Sequence, residues 1–199
     1  MSEEKRMAGD YEITQAILIG DREVVFGIDN NNPEQPYFCA FYERNEILGK
    51  YDGCMVSSDY VELVMLFAKR IEAQCEKLKE AEQAVTVPRE KITADMCNPI
   101  GYDENIADRV VVIKPEALRA EYQTADHQLC YITGGFGASA NSRGTACFCI
   151  NLYSGKESRF NRSDILGEMK ELPEWAQESE KRIRNIRTRD RESDGFMSR

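Results

Sequence analysis

The chain is short of the residues and motifs by which catalytic sites are usually recognised. Its 199 residues include one histidine and one tryptophan. The DxD, HExxH and GxSxG patterns do not occur, so nothing points to the enzyme classes that carry them. No apolar run approaches the ~20 residues of a membrane span, and the N-terminal MSEEKRMAGD lacks the apolar region of a signal peptide. These absences argue against an enzyme, a membrane protein and an exported protein.

Cysteine usage points to a reducing compartment. The seven cysteines are an odd number and stand singly inside apolar segments. In a chain without an export signal, this pattern is typical of reduced, buried thiols and not of a disulfide framework. We therefore predict a cytoplasmic protein.

Negative charge dominates most of the chain, and the net charge is −9. Residues 1–180 carry 19 basic and 32 acidic side chains, a charge of −13, whereas residues 181–199 carry 7 basic and 3 acidic ones, a charge of +4. An acidic body favours basic partners and repels nucleic acid at long range. The same charge also keeps an abundant protein dispersed, so charge alone leaves both interpretations open.

The first part of the chain predicts four antiparallel strands. Two β-rich runs flank Gly20-Asp21-Arg22, which reads as a hairpin turn. Asn and Pro residues then mark a loop before an aromatic segment and a fourth strand. The predicted strands are Tyr11–Ile19, Glu23–Ile28, Pro36–Tyr42 and Tyr51–Val56.

A long amphipathic helix follows these strands. Ser57, Ser58 and Asp59 are suitable N-caps, and the helix is expected to end near Ala84, before Pro88. Its apolar side chains are spaced 3-4-3-4-3, at Val61, Val64, Ala68, Ile71, Cys75 and Leu78. A stripe this wide suits packing on a sheet, and it could serve a homodimer where the sheet leaves part of it uncovered.

The second part predicts another small antiparallel sheet and a final helix. Strands are expected at Arg109–Lys114, Gln128–Thr133, Thr145–Tyr153 and Glu157–Asn161, with a helix opening at Leu172. The fold class is therefore α+β: an N-terminal antiparallel ββββα unit, then a second small antiparallel sheet and a C-terminal helix.

We divide the chain into five parts on this basis. Residues 1–10 are predicted to be disordered, 11–86 to form the ββββα unit and 87–108 to be a linker. Residues 109–180 are predicted to form the β-rich unit with the start of the C-terminal helix, and 181–199 a disordered basic tail.

A glycine-rich loop, GGFGASANSRG at residues 134–144, is the most distinctive segment. Its backbone N–H groups could cradle a phosphate. However, it lacks the Lys-Ser/Thr pair of a P-loop and the dinucleotide GxGxxG pattern, and a strand follows it. The favoured interpretation is a mobile hairpin tip that closes onto a partner.

Histidine and cysteine offer weak alternatives to a binding surface. His127 could pair with Cys130 or Cys147 as a nucleophile, but nothing in the sequence orients it as a base. Cys147 and Cys149 alternate with Phe148 and so face one side of a strand, yet no CxxC or second pair supplies further metal ligands. We expect small core residues, with no catalytic residue, no metal and no cofactor.

Basic residues surround the glycine loop. With Phe136 they form the predicted partner-binding set: Phe136, Arg143, Lys156, Arg159 and Arg162. Arginines beside Phe136, Tyr153 and Phe160 could bind nucleic-acid phosphate and stack on bases. A charge-segregated surface for a protein partner explains the same residues.

Several phrases together resemble one family. They are YEITQAILIGDREVVFGID, PYFCAFYERNEILGKYDGCMV, VTVPREKITADMC and ITGGFGASANSRGTACFCINLYSGKESRF. They are similar to small accessory proteins of conjugative elements, plasmids and phages of gut Clostridia, one branch of which includes anti-CRISPR proteins. The resemblance covers roughly residues 10–178. From about Arg109 to Trp175 the chain also resembles a module of large polyvalent proteins of the same elements.

The resemblance implies a non-catalytic anti-defence protein that inhibits a CRISPR type II effector nuclease. The implied partner is that nuclease with guide RNA, with or without target DNA, and neither a membrane nor a small-molecule substrate is expected. An acidic body suits a channel lined with Lys and Arg. Two alternatives stay open: an antirestriction protein acting by DNA mimicry, and a nucleic-acid-binding accessory protein of conjugation.

Overall fold

The computed structural model describes residues 5–44 and 49–197. The chain divides into two compact units, Met1–Val85 and Thr86–Arg199. Both are built from antiparallel strands with a long helix, which confirms the predicted α+β class. Among the described residues, no helix combines the length and apolarity needed to cross a membrane.

The first unit contains a five-stranded antiparallel sheet in the order β1-β2-β3-β4-β5. The central strands carry continuous apolar runs because both faces of the sheet are covered there, and Gly20 adopts a φ of 60° in the turn between the second and third strands. The bounds are β1 Met7–Ala8, β2 Tyr11–Ile19, β3 Arg22–Ile28, β4 Tyr37–Arg44 and β5 Gly49–Ser57. The predicted turn between the last two strands falls partly on residues 45–48, outside the described residues.

Helix α1 spans Tyr60–Gln83 and packs on one face of this sheet. Asp59 caps it, since its carboxylate accepts the N–H groups of Val61 and Glu62 at 2.9 and 3.0 Å. Below the helix, Val24, Phe26, Cys39 and Leu63 form a buried cluster. The opposite face buries a second cluster, Ala8, Val25, Phe38 and Ala40, with tyrosines packed around it.

The N-terminal prediction needs a correction. Residues 1–10 were expected to be disordered, but β1 pairs with the start of β2. Ala8 is buried, and the Arg6 guanidinium lies over the Tyr42 ring, 4.3 Å from its centroid. These apolar and cation–π contacts order the segment from Lys5 onward, while residues 1–4 lie outside the described residues.

The second unit contains a six-stranded antiparallel sheet in the order β10-β9-β8-β7-β11-β6. The bounds are β6 Cys97–Asn98, β7 Val110–Ile113, β8 Leu129–Gly134, β9 Ala146–Asn151, β10 Glu157–Asn161 and β11 Ile165–Met169. A short helix, α2 Ala125–Gln128, precedes β8, and α3 spans Glu174–Met197. The sequence did not predict β6 or β11, because two-residue and glycine-containing strands carry little alternation.

The segment predicted as a linker belongs to the core of the second unit. Ile92 is 1% exposed and Ile106 is fully buried. The amide of Gln128 is buried, accepts the Ile92 N–H at 2.8 Å and donates to the Ile92 and Ile113 carbonyls. The Pro and Gly residues that suggested a linker instead mark turns within a packed segment.

Helix α3 extends beyond the predicted boundary at residue 180. Ile183 is 7% exposed in the core cluster. The next basic residues bind the body of the unit: Arg184 donates to the Asp108 carbonyl at 2.6 Å and Arg187 to the Thr133 carbonyl at 2.9 Å. Arginine is a good helix former, so the basic segment continues the helix to Met197, and residues 198–199 lie outside the described residues.

Candidate interaction surface

Close packing against β9 determines the shape of the glycine loop. Gly135 adopts a φ of 103°, and Phe136–Ala138 form a 3-10 turn. A Cβ atom at Gly135 would overlap the Ala146 carbonyl oxygen, and one at Gly137 would overlap that of Thr145. Glycine is therefore required at these positions by backbone geometry and by close approach to β9. The loop was predicted to be a mobile hairpin tip, and the structure shows a turn packed on the sheet.

This packing leaves Phe136 in solvent. Its side chain is 80% exposed, the largest fraction among the large apolar side chains that the structure describes. Its Cβ lies so close to Gly144 that a side chain there would overlap it. Two glycine positions and a 3-10 turn thus hold an aromatic ring outward on a tightly packed base, an arrangement that the core does not require.

Phe148 and Arg159 extend this surface along the neighbouring hairpin. They are directly opposite each other on β9 and β10, so their side chains share one face of the sheet. Phe148 is 51% exposed and lies beside Gly135. Arg159 is exposed and, within the described part of the chain, makes no hydrogen bond or ion pair.

Arg143 completes the group, being exposed next to Gly144 and also without a partner among the described residues. We call this set the aromatic–arginine surface: Phe136, Arg143, Phe148 and Arg159. Phe148 was not among the predicted site residues. Its alternation with Cys147 and Cys149 was the available signal, since burial of both thiols turns the residue between them outward.

Arg162, also predicted to bind a partner, makes hydrogen bonds that brace the fold. Its half-buried guanidinium donates to the carbonyl oxygens of Gly101 at 2.7 Å, Glu104 at 3.0 Å and Gly137 at 3.3 Å. These bonds tie the former linker to the glycine loop. Lys156 is exposed at the turn of the β9–β10 hairpin, so it stays in the predicted partner-binding set.

Two predicted stacking aromatics are also packed within the unit. Phe160 is half-buried against the apolar cluster that contains Cys147. Tyr153 is half-buried and meets the Trp175 ring edge-on, with centroids 6.3 Å apart. Neither ring has a free face like that of Phe136.

Glu104 supports the loop beneath Arg162. Its carboxylate accepts the Gly101 N–H at 2.8 Å and an Arg109 N–H at 3.1 Å. The backbone hydrogen bond from Gly101, followed by the bond from Arg109, lowers the pKa of Glu104 below its ordinary value. The ionised carboxylate is thus part of the base on which the glycine loop rests.

His127 is oriented by a neighbour that the sequence reasoning overlooked. The buried Asp126 carboxylate lies 2.9 Å from its Nδ1, and the ring stacks on Tyr122 with centroids 4.6 Å apart. Asp126 also faces Arg89, with 3.5 Å between Oδ1 and Nε. These contacts connect α2 to the segments that precede it.

The cysteines of the second unit are core residues. Cys130, Cys147 and Cys149 are at most 2% exposed and share one apolar cluster. Burial raises the pKa of the Cys147 thiol, which disfavours the reactive thiolate. Within the described residues, no group of three or more His, Cys, Asp or Glu side chains is placed to hold a metal ion.

In the first unit, acidic side chains outnumber the basic ones, and Arg22 and Arg70 are engaged in contacts within the unit. Residues 1–85 carry 9 basic and 17 acidic side chains. Arg22 pairs with Glu43 and Asp52, and Arg70 donates to two backbone carbonyls, those of Cys39 and Gly53. Along α1, exposed glutamates recur at positions 62, 72, 76 and 80. This unit therefore presents a net negative field to a partner.

Comparison with known proteins identifies no relative of this chain. No family model matches the chain, and neither a curated protein nor a solved structure is significantly similar to it.

Proposed function

We propose that the protein is a non-catalytic anti-defence protein that binds a CRISPR type II effector nuclease and blocks DNA cleavage. The observation that carries this proposal is the aromatic–arginine surface. Aromatic side chains and arginine are enriched at the energetic centres of protein interfaces. Here two exposed phenylalanines and two uncommitted arginines project from a base held by glycine packing and by Arg162.

The charge of the first unit supports a basic target. A type II effector holds its guide–target heteroduplex in a positively charged channel. An acidic unit would be steered toward such a channel, which speeds association and makes it sensitive to salt. The cytoplasmic setting of this target also suits a chain whose seven cysteines are free thiols.

The sequence resemblance adds the choice of target class. One of the phrases that resemble the anti-CRISPR branch, ITGGFGASANSRGTACFCINLYSGKESRF, contains all four members of the aromatic–arginine surface. It also contains the glycines that hold Phe136 in place. The proposal therefore assigns target binding to this segment and leaves electrostatic guidance to the first unit.

The test is a pull-down with a type II effector nuclease, with and without guide RNA and target DNA, followed by cleavage assays on the same samples. We expect binding together with lost cleavage. Phe136→Ala and Arg159→Glu should each weaken binding at least tenfold without unfolding the protein. Lys181→Glu, an equal charge change at an exposed position of α3, is the matched control. Unchanged cleavage at molar excess across a panel of such nucleases would refute the proposal.

Single-stranded nucleic acid is a second candidate partner for the same surface. Exposed rings interleaved with arginines provide stacking and phosphate contacts, as a conjugation accessory protein would need. In that case the isolated protein should bind single-stranded DNA, with affinity falling as salt rises. Binding to DNA without any effect on the nuclease would favour this candidate. Protection from a restriction enzyme alone would instead favour the antirestriction alternative.

A further inference from the structure

Within the described residues, strand β2 has an open edge over most of its length. β1 pairs only with Tyr11 and Glu12 of β2. One further hydrogen bond follows, in which the Ile13 N–H donates to the Arg6 carbonyl at 2.8 Å. From Gln15 to Ile19, β2 pairs with β3 on one side. On the other side, no strand of the described part of the chain pairs with it.

This open edge carries no charge. The run ITQAILIG, residues 13–20, is uncharged inside a unit whose net charge is −8. Residues 14–18 are all exposed, with Ile17 at 40% and Leu18 at 47%. Proteins usually protect such an edge with lysine, proline or a bulge that turns it away. The register of β2 shifts once, between Ile13 and Gln15. From Gln15 to Ile19 the pairing is regular and the edge has neither lysine nor proline, so this part is a template for another strand.

The flank of α1 next to this edge is also apolar. Gln74 donates to the Ile19 carbonyl on β2 at 3.5 Å, whereas Arg70 donates to the Gly53 carbonyl on β5 at 2.6 Å. Successive residues of a helix are rotated by about 100° around its axis. Gln74 is therefore rotated from Arg70 toward β2, and the residues rotated further in that direction form the flank of α1 above β2. They are Val61, Val64, Ala68, Ile71 and Cys75.

Ile17 lies on the same side of the sheet as this flank. It is directly opposite Val24, which belongs to the cluster beneath α1. The edge strand and the helix flank are therefore parts of one apolar surface, with Val61 63% exposed. Its outer margin contains Met65, 68% exposed, together with the charged residues Lys69 and Glu72.

We propose that this β2–α1 surface binds a second copy of the chain, with β2 pairing antiparallel to its own counterpart. A two-fold axis perpendicular to the sheet would relate the copies, and such isologous contacts are the commonest in homo-oligomers. That operation places both α1 helices on the same face and turns each apolar flank toward the other. One contact then covers the strand edge and the helix flank together.

Charge favours a second copy over a different partner at this surface. A basic protein or a nucleic acid attracted by the acidic unit would be recognised by charged side chains, and this surface has none between residues 13 and 20. The uncharged edge of β2 can pair with the same edge of a second copy without bringing like charges together. The net charge of each copy opposes association at long range, so added salt should strengthen the dimer.

The test is the mass of the full chain by sedimentation equilibrium across protein and salt concentration. We expect a species of twice 22.7 kDa, with a dissociation constant that falls as salt rises. Ile17→Lys and Ala68→Glu should each raise that constant at least tenfold. Met55→Lys is the matched control, because Met55 is 51% exposed on β5 at the opposite edge of the same sheet, and it should dimerise like wild type.

Cysteine crosslinking gives a second readout that does not depend on destabilising variants. In a background with the exposed Cys54 changed to serine, cysteines placed singly at residues 15–18 should form a covalent dimer on mild oxidation, most efficiently at the residue nearest the two-fold axis. A monomer at about 100 μM, a concentration at which even weak micromolar dimers form, would overturn the proposal. So would dissociation by Met55→Lys but not by Ile17→Lys, or a strand interaction seen only with another protein.

Discussion

Arg159 and Arg162 have the same charge and lie three residues apart, yet the structure predicts opposite consequences when each is replaced by alanine. Arg162 donates to three backbone carbonyls at 2.7, 3.0 and 3.3 Å. Arg159 is exposed and makes no such bond within the described residues. Arg162→Ala should therefore destabilise the second unit, and Arg159→Ala should leave its stability unchanged.

The magnitude follows from the three bonds. A hydrogen bond from a charged donor contributes about 1.5–3 kcal/mol to folding when it is well shielded from water. The Arg162 side chain is only half-buried, so we count about 1 kcal/mol for each of the two shorter bonds and less for the longest. The free energy of unfolding should fall by about 2–3 kcal/mol in Arg162→Ala and by less than about 0.5 kcal/mol in Arg159→Ala.

Urea denaturation followed by tryptophan fluorescence measures this difference in the relevant unit. Trp175 is the single tryptophan of the chain and lies in α3 of the second unit. With a slope of about 2 kcal/mol/M, the midpoint should shift by about 1–1.5 M in Arg162→Ala. Equal midpoints for the two variants would refute the assignment of Arg162 to the fold.

Three further predictions concern the packing of the second unit. Gly137→Ala should cost about 3 kcal/mol because its Cβ overlaps a carbonyl oxygen, whereas Gly155→Ala, at a φ of 69° in open space, should cost about 1–2 kcal/mol in urea denaturation. Gln128→Leu should cost about 3 kcal/mol by leaving buried backbone groups unpaired, and amide exchange at Ile92 should accelerate. Because the pKa of Glu104 is lowered in the fold, its contribution is present above the unfolded pKa and lost as pH falls through the folded value. Stability measured from pH 6 to 3 should therefore fall more steeply in wild type than in Glu104→Gln.

Each of these predictions has a contrary outcome. Similar losses at the two glycines would mean that the loop does not approach β9 as closely as described. Unchanged exchange at Ile92 would separate the segment before α2 from the core of the second unit. Parallel pH profiles for wild type and Glu104→Gln would show that the hydrogen bonds to this carboxylate contribute nothing measurable.

Local patterns were sufficient to predict the fold class and most elements. The Gly20-Asp21-Arg22 turn and the β-rich runs on either side of it predict the β2–β3 hairpin, which the structure contains at Tyr11–Ile19 and Arg22–Ile28. The cap at Asp59 and the apolar stripe behind it predict α1 to within a residue or two. These features depend on interactions between residues close in sequence, so they can be predicted from the sequence alone.

The candidate surface could be predicted only in part. Phe136, Arg143 and Arg159 were correctly expected to be exposed near the glycine loop, and their role in binding stays a prediction. Phe148 was missed, although its position between two buried thiols is a local signal. The hydrogen bonds of Arg162 within the fold were not predicted, because its three acceptors lie 25–61 residues away in the chain and no local pattern reports such contacts. Its role in binding a partner stays a prediction.

Residue patterns alone were thus enough to predict the α+β class, the hairpins, the long capped helix and the acidic character of the first unit. Tertiary structure alone decided that residues 87–108 complete a core, that β11 lies between β7 and β6, and that the basic C-terminal segment continues a helix docked through Ile183. It also decided that Arg162 braces the fold, whereas Arg159 makes no hydrogen bond or ion pair with the described residues. The physical reason is the same in each case: turns, caps and amphipathic stripes arise from neighbours in sequence, whereas burial and backbone satisfaction depend on segments that meet only in the folded chain.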